Sequence, residues 1–212
     1  MATTTLVAPR PSVGSTLLIG AAALAALVFV AGAALPYYGL DAQQYGLYWP
    51  KRYWLLTHIT GDMIALFVGL VQLWLGLRNR AMEWHRRLGF AYIASGTAGS
   101  VAAYYLSTHT DGGWVFGAGL SGLATAWFLT TGMAFLAVRR GLYDIHKEWM
   151  IRSYVVTFAF VTFRALQVSL SAAGIGTVQE QLAISSWFCW AVPLLLTEVI
   201  LQGRKILAVP RV

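Results

Sequence analysis

Long apolar runs recur along this 212-residue sequence and constrain its fold more than any other feature. A helix needs about 20 mostly apolar residues to cross the hydrocarbon core of a bilayer. Hydrophobic residues make up 58% of the chain and charged residues only 11%, which a water-soluble domain could not sustain. The sequence therefore predicts an all-α polytopic membrane protein with six transmembrane helices and the lipid bilayer as its main solvent. The six predicted spans are residues 17–35, 53–77, 88–106, 114–138, 149–170 and 182–201.

These spans divide the chain into a short N-terminal tail at residues 1–16, a six-span domain at 17–202 and a basic C-terminal tail at 203–212. The first span could instead be a cleaved signal peptide, because residues 31–33 are small. Its apolar run is longer than the roughly 7–15 residues of such signals, so we expect a retained helix.

Basic residues predict the orientation of the spans, because loops rich in Lys and Arg face the cytoplasm. The connection between spans two and three and the one between spans four and five are both basic, whereas the loops around Asp111 and Glu180 hold no basic residue. We therefore expect both termini in the cytoplasm and the protein in the cell membrane. The net charge of +7 is spread over short tracts between apolar runs, so it does not indicate a nucleic-acid partner.

Three spans carry a face of polar or small residues when the sequence is placed on a helical wheel. Such faces should meet one another, because lipid would leave their donors and charges unsatisfied. Close packing of helices on glycine is an alternative reason for the small residues. The faces comprise His58, Gly61, Asp62, Ala65, Gly69, Gln72 and Gly76 on the second span; His85, Gly89, Tyr92, Gly96, Gly99 and Ala103 on the third; and His146, Ser153, Thr157, Arg164, Gln167 and Ser171 on the fifth.

Charged residues within the spans predict two ion pairs. Asp62 and Arg164 lie at similar depth in the outer half, and Glu198 and Arg152 lie at similar depth near the inner side. Each pair has two interpretations, either a structural contact that fixes helix rotation or part of a pathway for protons or ions.

Two histidines, His85 and His146, begin helices on the predicted cytoplasmic side and could hold a haem b iron between them. The candidate partners of the haem propionates are Arg86, Arg87, Lys147 and Arg152. The alternative is that these histidines bind lipid phosphate at the interface. A metal site that also uses His58 is improbable, because His58 lies on the opposite side of the bilayer and metal–nitrogen bonds are only about 2 Å long. His58 would instead be a ligand of a second haem on the outer side, which is the less favoured site.

The chain also resembles an uncharacterised family of prokaryotic predicted membrane proteins, a domain of unknown function. The resemblance rests on residues 85–92 (HRRLGFAY) and 144–154 (DIHKEWMIRSY), followed by Thr157 and residues 161–164 (VTFR), with His58 and Glu198 also fitting. It implies a protein of the bacterial cytoplasmic membrane and no established activity.

A looser likeness is to the ascorbate-reducible b-type cytochromes, which have six spans and haem-ligating histidines on spans two to five. Here the fourth span has no histidine, so the likeness implies at most one haem, on the cytoplasmic side. The leading hypothesis is thus a haem-binding electron-transfer or reductase-like subunit. If the protein is an enzyme, this hypothesis predicts a membrane oxidoreductase that works with a redox partner or within a membrane complex. The alternatives are a small proton-coupled transporter or channel built on Asp62, Arg164, His58 and Gln72, and an accessory scaffold subunit.

Overall fold

The structure is a computed structural model, and it describes residues 13–209. Helices form nearly all of this part of the chain, and no strand occurs within it. The first rod is α1 (Val13–Phe29), continued by a π-helical turn (Val30–Ala34) and a 3₁₀ turn (Leu35–Gly39). The other α-helices are α2 (Ala42–Tyr45), α3 (Arg52–Arg78), α4 (Met82–Thr108), α5 (Trp114–Arg139), α6 (Tyr143–Thr157), α7 (Ala159–Ala172) and α8 (Val178–Ala208).

Five helical segments are long and apolar enough to cross a membrane. They contain the first, second, fourth, fifth and sixth predicted spans. The third predicted span lies in α4, which has 27 residues but a more polar composition, with Gly, Ser, Thr and Tyr throughout. Because α4 packs between α3 and α5, its polar groups face protein. Such a helix needs fewer apolar residues than one that faces lipid.

Short connections at alternate ends join the long helices, so neighbouring helices run antiparallel. We call the end with the α3–α4 and α5–α6 connections the inner end, and the end with the α4–α5 and α7–α8 connections the outer end. The inner connections hold residues in the left-handed region, including Asn79 at φ 52° and Gly141 at φ 74°. At the outer end, Thr177 and Glu180 form a reciprocal capping box that starts α8.

Two predicted boundaries differ from the structure. The fifth predicted span is divided, because α6 ends at Thr157 and α7 begins at Ala159. The segment predicted as a C-terminal tail is helical up to Ala208, because α8 continues beyond its apolar part. Of the predicted N-terminal tail, residues 1–12 lie outside the described part, and α1 already begins at Val13.

Glycine allows α3 and α4 to approach closely. A side-chain carbon at Gly61 would lie 2.5 Å from the Ser95 carbonyl oxygen, and one at Gly99 would overlap the Asp62 carboxyl group. Further along, Gly96 leaves room for the ring of Trp127 from α5. These contacts bring the predicted small and polar faces of the second and third spans together, as the sequence indicated.

Candidate functional site

A hydrogen-bonded cluster of hydroxyl groups occupies the middle of the bundle. The hydroxyl of Tyr92 on α4 lies 2.8 Å from Ser153 Oγ and 2.7 Å from Thr157 Oγ1, both on α6. Thr131 Oγ1 on α5 lies 2.6 Å from Ser153 Oγ. Trp127 Nε1, also on α5, donates to Thr157 Oγ1 at 3.0 Å. We call these five residues the hydroxyl cluster.

All five side chains of the hydroxyl cluster are buried, with Ser153 fully enclosed. A polar group in this position is costly unless it is hydrogen-bonded, and here each one has a partner within the cluster. The predicted convergence of spans three and five is therefore confirmed at Tyr92, Ser153 and Thr157 by direct contacts.

On the outer side of the hydroxyl cluster lies a cavity of about 210 Å³, which we call the outer cavity. Thr157 and Trp127 belong both to the cluster and to the cavity wall. Most of the wall is apolar, and its histidine and charged side chains come from α3 and α7: His58, Asp62 and Arg164. An apolar pocket with a few convergent polar groups is the usual form of a ligand site.

His58 and Asp62 face the outer cavity as a pair on consecutive turns of α3. His58 Nδ1 lies 2.6 Å from Asp62 Oδ2 and 3.2 Å from the Gly99 carbonyl oxygen. The imidazole thus sits between two acceptors, and its hydrogen is not aligned with the carboxylate, so Asp62 Oδ2 has no well-directed donor. A buried carboxylate in this condition can accept a proton or a hydrogen bond from a ligand.

The predicted ion pair between Asp62 and Arg164 is wrong. Asp62 contacts His58, and Arg164 donates from Nη1 to Gln167 Oε1 at 2.9 Å. The physical reason is local, because residues three and four apart are neighbours on one helix and can pair without any tertiary contact. Both charged residues nevertheless line the same outer cavity.

The structure brings His85 and His146 together at the inner end, with their ring centroids 6.5 Å apart and their planes at 86°. His146 Nδ1 lies 2.9 Å from the Ala134 carbonyl oxygen, so Nδ1 carries the hydrogen and Nε2 keeps its lone pair. His85 Nδ1 is buried and has no partner among the described residues. His58 lies near the other end of α3 and does not join this pair.

The predicted inner pair between Arg152 and Glu198 is confirmed. Arg152 Nη2 donates to Glu198 Oε2 at 2.5 Å, and Arg152 Nε donates to the same oxygen at 2.8 Å. Of the other arginines assigned to propionates, Arg87 bonds Glu83 at 2.6 Å and Arg86 is exposed. Arg152 and Arg87 therefore already hold carboxylates of this chain.

Gln72 is buried beside the histidine pair, and its Nε2 donates to the His85 carbonyl oxygen at 2.5 Å. It thus ties α3 to the first turn of α4. A side-chain carbon at Gly89 would lie 3.7 Å from the same Gln72 nitrogen. Gln72 therefore occupies part of the space beside Gly89 that a flat cofactor would need.

Sequence reasoning missed the contribution of α5 to the site, namely Trp127 and Thr131. The fourth span has no charged residue or histidine in its middle, so the sequence did not predict a polar face for it. The available signal was the spacing of these two residues, which lie four apart and so on one side of a helix.

Comparisons with known proteins place the chain in a family. No curated protein and no solved structure shows significant similarity to it. Residues 55–201, well over half of the chain, match a family described as "Predicted membrane protein (DUF2306)". This range contains the hydroxyl cluster, the histidine pair and the polar wall of the outer cavity. The protein therefore belongs to this family of multi-pass membrane proteins.

Proposed function

We propose that this protein moves protons through the bilayer along a path formed by the hydroxyl cluster, the outer cavity and the His58–Asp62 pair. The observation that carries the proposal is that Thr157 lies in both the cluster and the cavity wall, which also holds Asp62. Polar groups inside a membrane are expensive, and a connected series of them is characteristic of a proton or ion pathway.

Hydroxyl groups suit this task because each one can donate and accept. The hydrogen bonds from Tyr92 to Ser153 and to Thr157 can run in either direction, as can the one between Ser153 and Thr131. Reversing these bonds in sequence passes a proton from one end of the cluster to the other.

Each end of the cluster leads to a titratable side chain. On the outer side, the cavity wall presents His58 and Asp62. On the inner side, Thr131 lies one turn before Ala134, whose carbonyl oxygen bonds His146. The hydroxyl cluster therefore has a titratable side chain near each of its two ends.

Proton flux into reconstituted vesicles tests the proposal. With a potassium gradient and valinomycin as the driving force and a trapped pH dye as the readout, the wild type should exceed protein-free vesicles. Asp62→Asn removes the proton acceptor and should lower the flux by about tenfold or more. Asp144→Asn is the control, because Asp144 is exposed and bonds Lys147 at the inner end. Wild-type flux no greater than that of protein-free vesicles would overturn the proposal.

Two pairs of near-isosteric variants test the cluster itself and do not rely on Asp62→Asn folding. Tyr92→Phe and Thr157→Val each remove one hydroxyl from the cluster and should reduce the flux. Their controls are Tyr104→Phe and Thr130→Val, because the Tyr104 hydroxyl bonds Thr125 and Thr130 bonds only backbone carbonyls of α5. Equal flux in all four variants would contradict a path through the cluster.

A second candidate function, electron transfer through one haem b at the inner end, is favoured by the geometry of His85 and His146. The two ring centres lie 6.5 Å apart, and the bond from His146 to Ala134 uses Nδ1 and leaves Nε2 for a ligand. His85 and His146 would therefore be the residues that hold the iron. When bound, a haem would supply one-electron chemistry.

The surroundings fit the haem less well than the two nitrogens do. Arg152 is engaged by Glu198, and the Gln72 side chain stands beside Gly89. Among residues 13–209, no three His, Cys, Asp or Glu side chains come together as a metal site, so the two histidines would be the whole protein ligand set. In this function, a redox partner in the same membrane would exchange electrons at the inner end.

The visible spectrum of protein expressed with ample haem tests the second candidate. A reduced-minus-oxidised spectrum should show b-type absorbance that disappears in His146→Ala and persists in His109→Ala, whose histidine lies at the outer end. Absorbance that survives in His146→Ala, or is absent from the wild type, would reject it. In either function, the resemblance to prokaryotic proteins suggests the bacterial cytoplasmic membrane as the location.

A further inference from the structure

We infer that the outer cavity binds a lipophilic molecule with an uncharged, hydrogen-bond-accepting head of one ring, the chemistry of a benzoquinone with an alkyl tail. The inference uses the outer cavity of the proposed function and names its ligand. It does not require that protons cross the whole bilayer.

The size of the cavity selects a single ring. An apolar cavity of about 150 Å³ takes up one benzene molecule, whereas pockets for larger organic ligands start at about 300 Å³. The outer cavity, at about 210 Å³, lies between these limits. It has room for one substituted ring, and any long tail must leave through the open side.

Arg164 on the cavity wall is exposed, so the cavity reaches the surface of the bundle at α7. Because Arg164 lies in the middle of α7, within the predicted fifth span, we expect this side to face the bilayer. A molecule that enters here must therefore be dissolved in lipid, which requires a substantial apolar part.

Aromatic side chains on the wall suit a flat head group. Phe116, Phe160 and Phe163 line the cavity together with Trp127. The ring of His58 lies 5.4 Å from that of Phe160 at an angle of 67°, which fixes the orientation of the imidazole. Aromatic walls favour a planar ring because offset-stacked and edge-to-face contacts add to the burial of apolar area.

The polar groups on the wall favour an uncharged head. His58 uses Nδ1 for Gly99 and Asp62, so its Nε2 is the nitrogen left for a ligand. Arg164 uses one donor for Gln167 and has others left. A ring carbonyl oxygen can accept from Arg164, and a ring hydroxyl can donate to His58 Nε2, which keeps a lone pair in the neutral ring. An anionic head would instead face the carboxylate of Asp62, and a cationic head would face Arg164.

His58 extends this recognition to a head that donates. Its Nδ1 faces the Gly99 carbonyl oxygen and Asp62, so Nε2 of the neutral ring can accept from the hydroxyl of a reduced, quinol-type ring. Asp62 Oδ2 is enclosed against His58 Nδ1, so the carboxylate orients the imidazole. The same wall can therefore bind a ring oxygen as an acceptor through Arg164 and as a donor through His58.

Two irregular segments border the cavity where a ligand would pass. Ala33 and Ala34 belong to the π-helical turn after α1, and Thr157 and Ala159 flank the interruption between α6 and α7. Within membranes, irregular backbone is confined to positions buried in protein or lining cavities, and π-helical turns are frequent at functional sites.

Photolabelling of the full chain in lipid nanodiscs tests the inference. The probe is an azido-benzoquinone with a ten-carbon tail, and the labelled peptides are mapped by mass spectrometry. We expect labels on residues of the cavity wall and competition by the unlabelled decyl-benzoquinone. Decanol, which has only the tail, should not compete. Labels elsewhere, or equal competition by decanol, would overturn the inference.

Matched alanine variants on α4 test the cavity directly. Ala103 lines the outer cavity, whereas Ala91 is exposed on the outside of the bundle. Ala103→Leu should reduce specific labelling by at least about tenfold, and Ala91→Leu should not. Should Ala103→Leu fail to fold, His58→Leu and Arg164→Gln must each weaken labelling. Unchanged labelling in the cavity-wall variant that folds would overturn the inference.

A fused two-ring naphthoquinone with the same tail tests the size argument, because it exceeds the space for one ring. It should compete at least about tenfold less well than the benzoquinone. Equal competition would overturn the single-ring assignment.

Proton flux measured without any quinone separates this inference from the proposed function. Flux without labelling would refute only the ligand, and labelling without flux would refute only the proton path.

Discussion

Gly99 determines where the Asp62 carboxyl group can lie. A side-chain carbon at this glycine would overlap that group, which also fits between the backbones of α3 and α4. The carboxylate is thus held against helix backbone on one side and faces the outer cavity on the other. The absence of a single side-chain carbon on α4 therefore permits a buried charge on α3.

Replacing this glycine by alanine should destabilise the protein and displace Asp62. Overpacking a well-filled site costs about 1–3 kcal/mol. Gly132→Ala is the matched control, because no atom lies within 4 Å of where a side-chain carbon at Gly132 in α5 would be. Alanine there should stabilise the helix by about 0.5–1 kcal/mol. Thermal unfolding in one detergent measures both. A Gly99→Ala protein at least as stable as Gly132→Ala would contradict the packing described here.

His58 and Asp62 also show what residue-level reasoning can and cannot supply. Their spacing of four residues places them on neighbouring turns of one helix, which is visible in the sequence. Matching depths suggested Arg164 as the partner of Asp62. Depth alone, however, leaves the rotation of each helix undetermined, and Arg164 turns to Gln167 on its own helix.

At the level of elements, the fifth predicted span is divided into α6 and α7, and the two helices contribute to different sites. α6 supplies Ser153 and Thr157 to the hydroxyl cluster, and α7 supplies Phe163 and Arg164 to the outer cavity. The sequence predicted one continuous span, because no Pro or Gly marks an interruption at Phe158.

Charged side chains connect α6 to α8 at the inner end. Arg152 is buried and bonds Glu198, while Lys205 bonds Glu148 at 2.8 Å. Glu198 also accepts from Gln202 one turn further along α8. A buried guanidinium needs such partners, because an uncompensated charge in a low-dielectric interior is costly. The depth of the two residues in the bilayer predicted this pair correctly. Glu148, one turn away on α6, lies 3.7 Å from Arg152, farther than Glu198 at 2.5 Å.

At the level of the whole molecule, the long helices cross between the two ends six times, so both described termini lie at the inner end. This follows from the antiparallel order of α1, α3, α4, α5, the α6–α7 segment and α8. We predict that the inner end faces the cytoplasm, because the two basic connections lie there.

Cysteine labelling in intact cells tests this orientation. In a Cys189→Ser background, which removes the single native cysteine, new cysteines replace Arg80 and Arg140 at the inner end and Asp111 and Gln179 at the outer end. A membrane-impermeant maleimide should label only the Asp111 and Gln179 positions. Labelling of Arg80→Cys and Arg140→Cys from outside would invert the topology, and opposite results for those two would disprove the six-span arrangement.

The sequence by itself determined that this is an all-helical membrane protein, roughly where its long helices lie, and which faces of three spans carry polar groups. It could do so because hydropathy and the 3.6-residue period are local properties of the chain. Only the tertiary structure decided which partners the polar groups take across helices: Thr131 and Trp127 contact the residues of α6, and a cavity lies between the cluster and Arg164. These choices depend on how each helix is rotated and how closely it approaches its neighbours, and that is fixed by packing across the whole bundle.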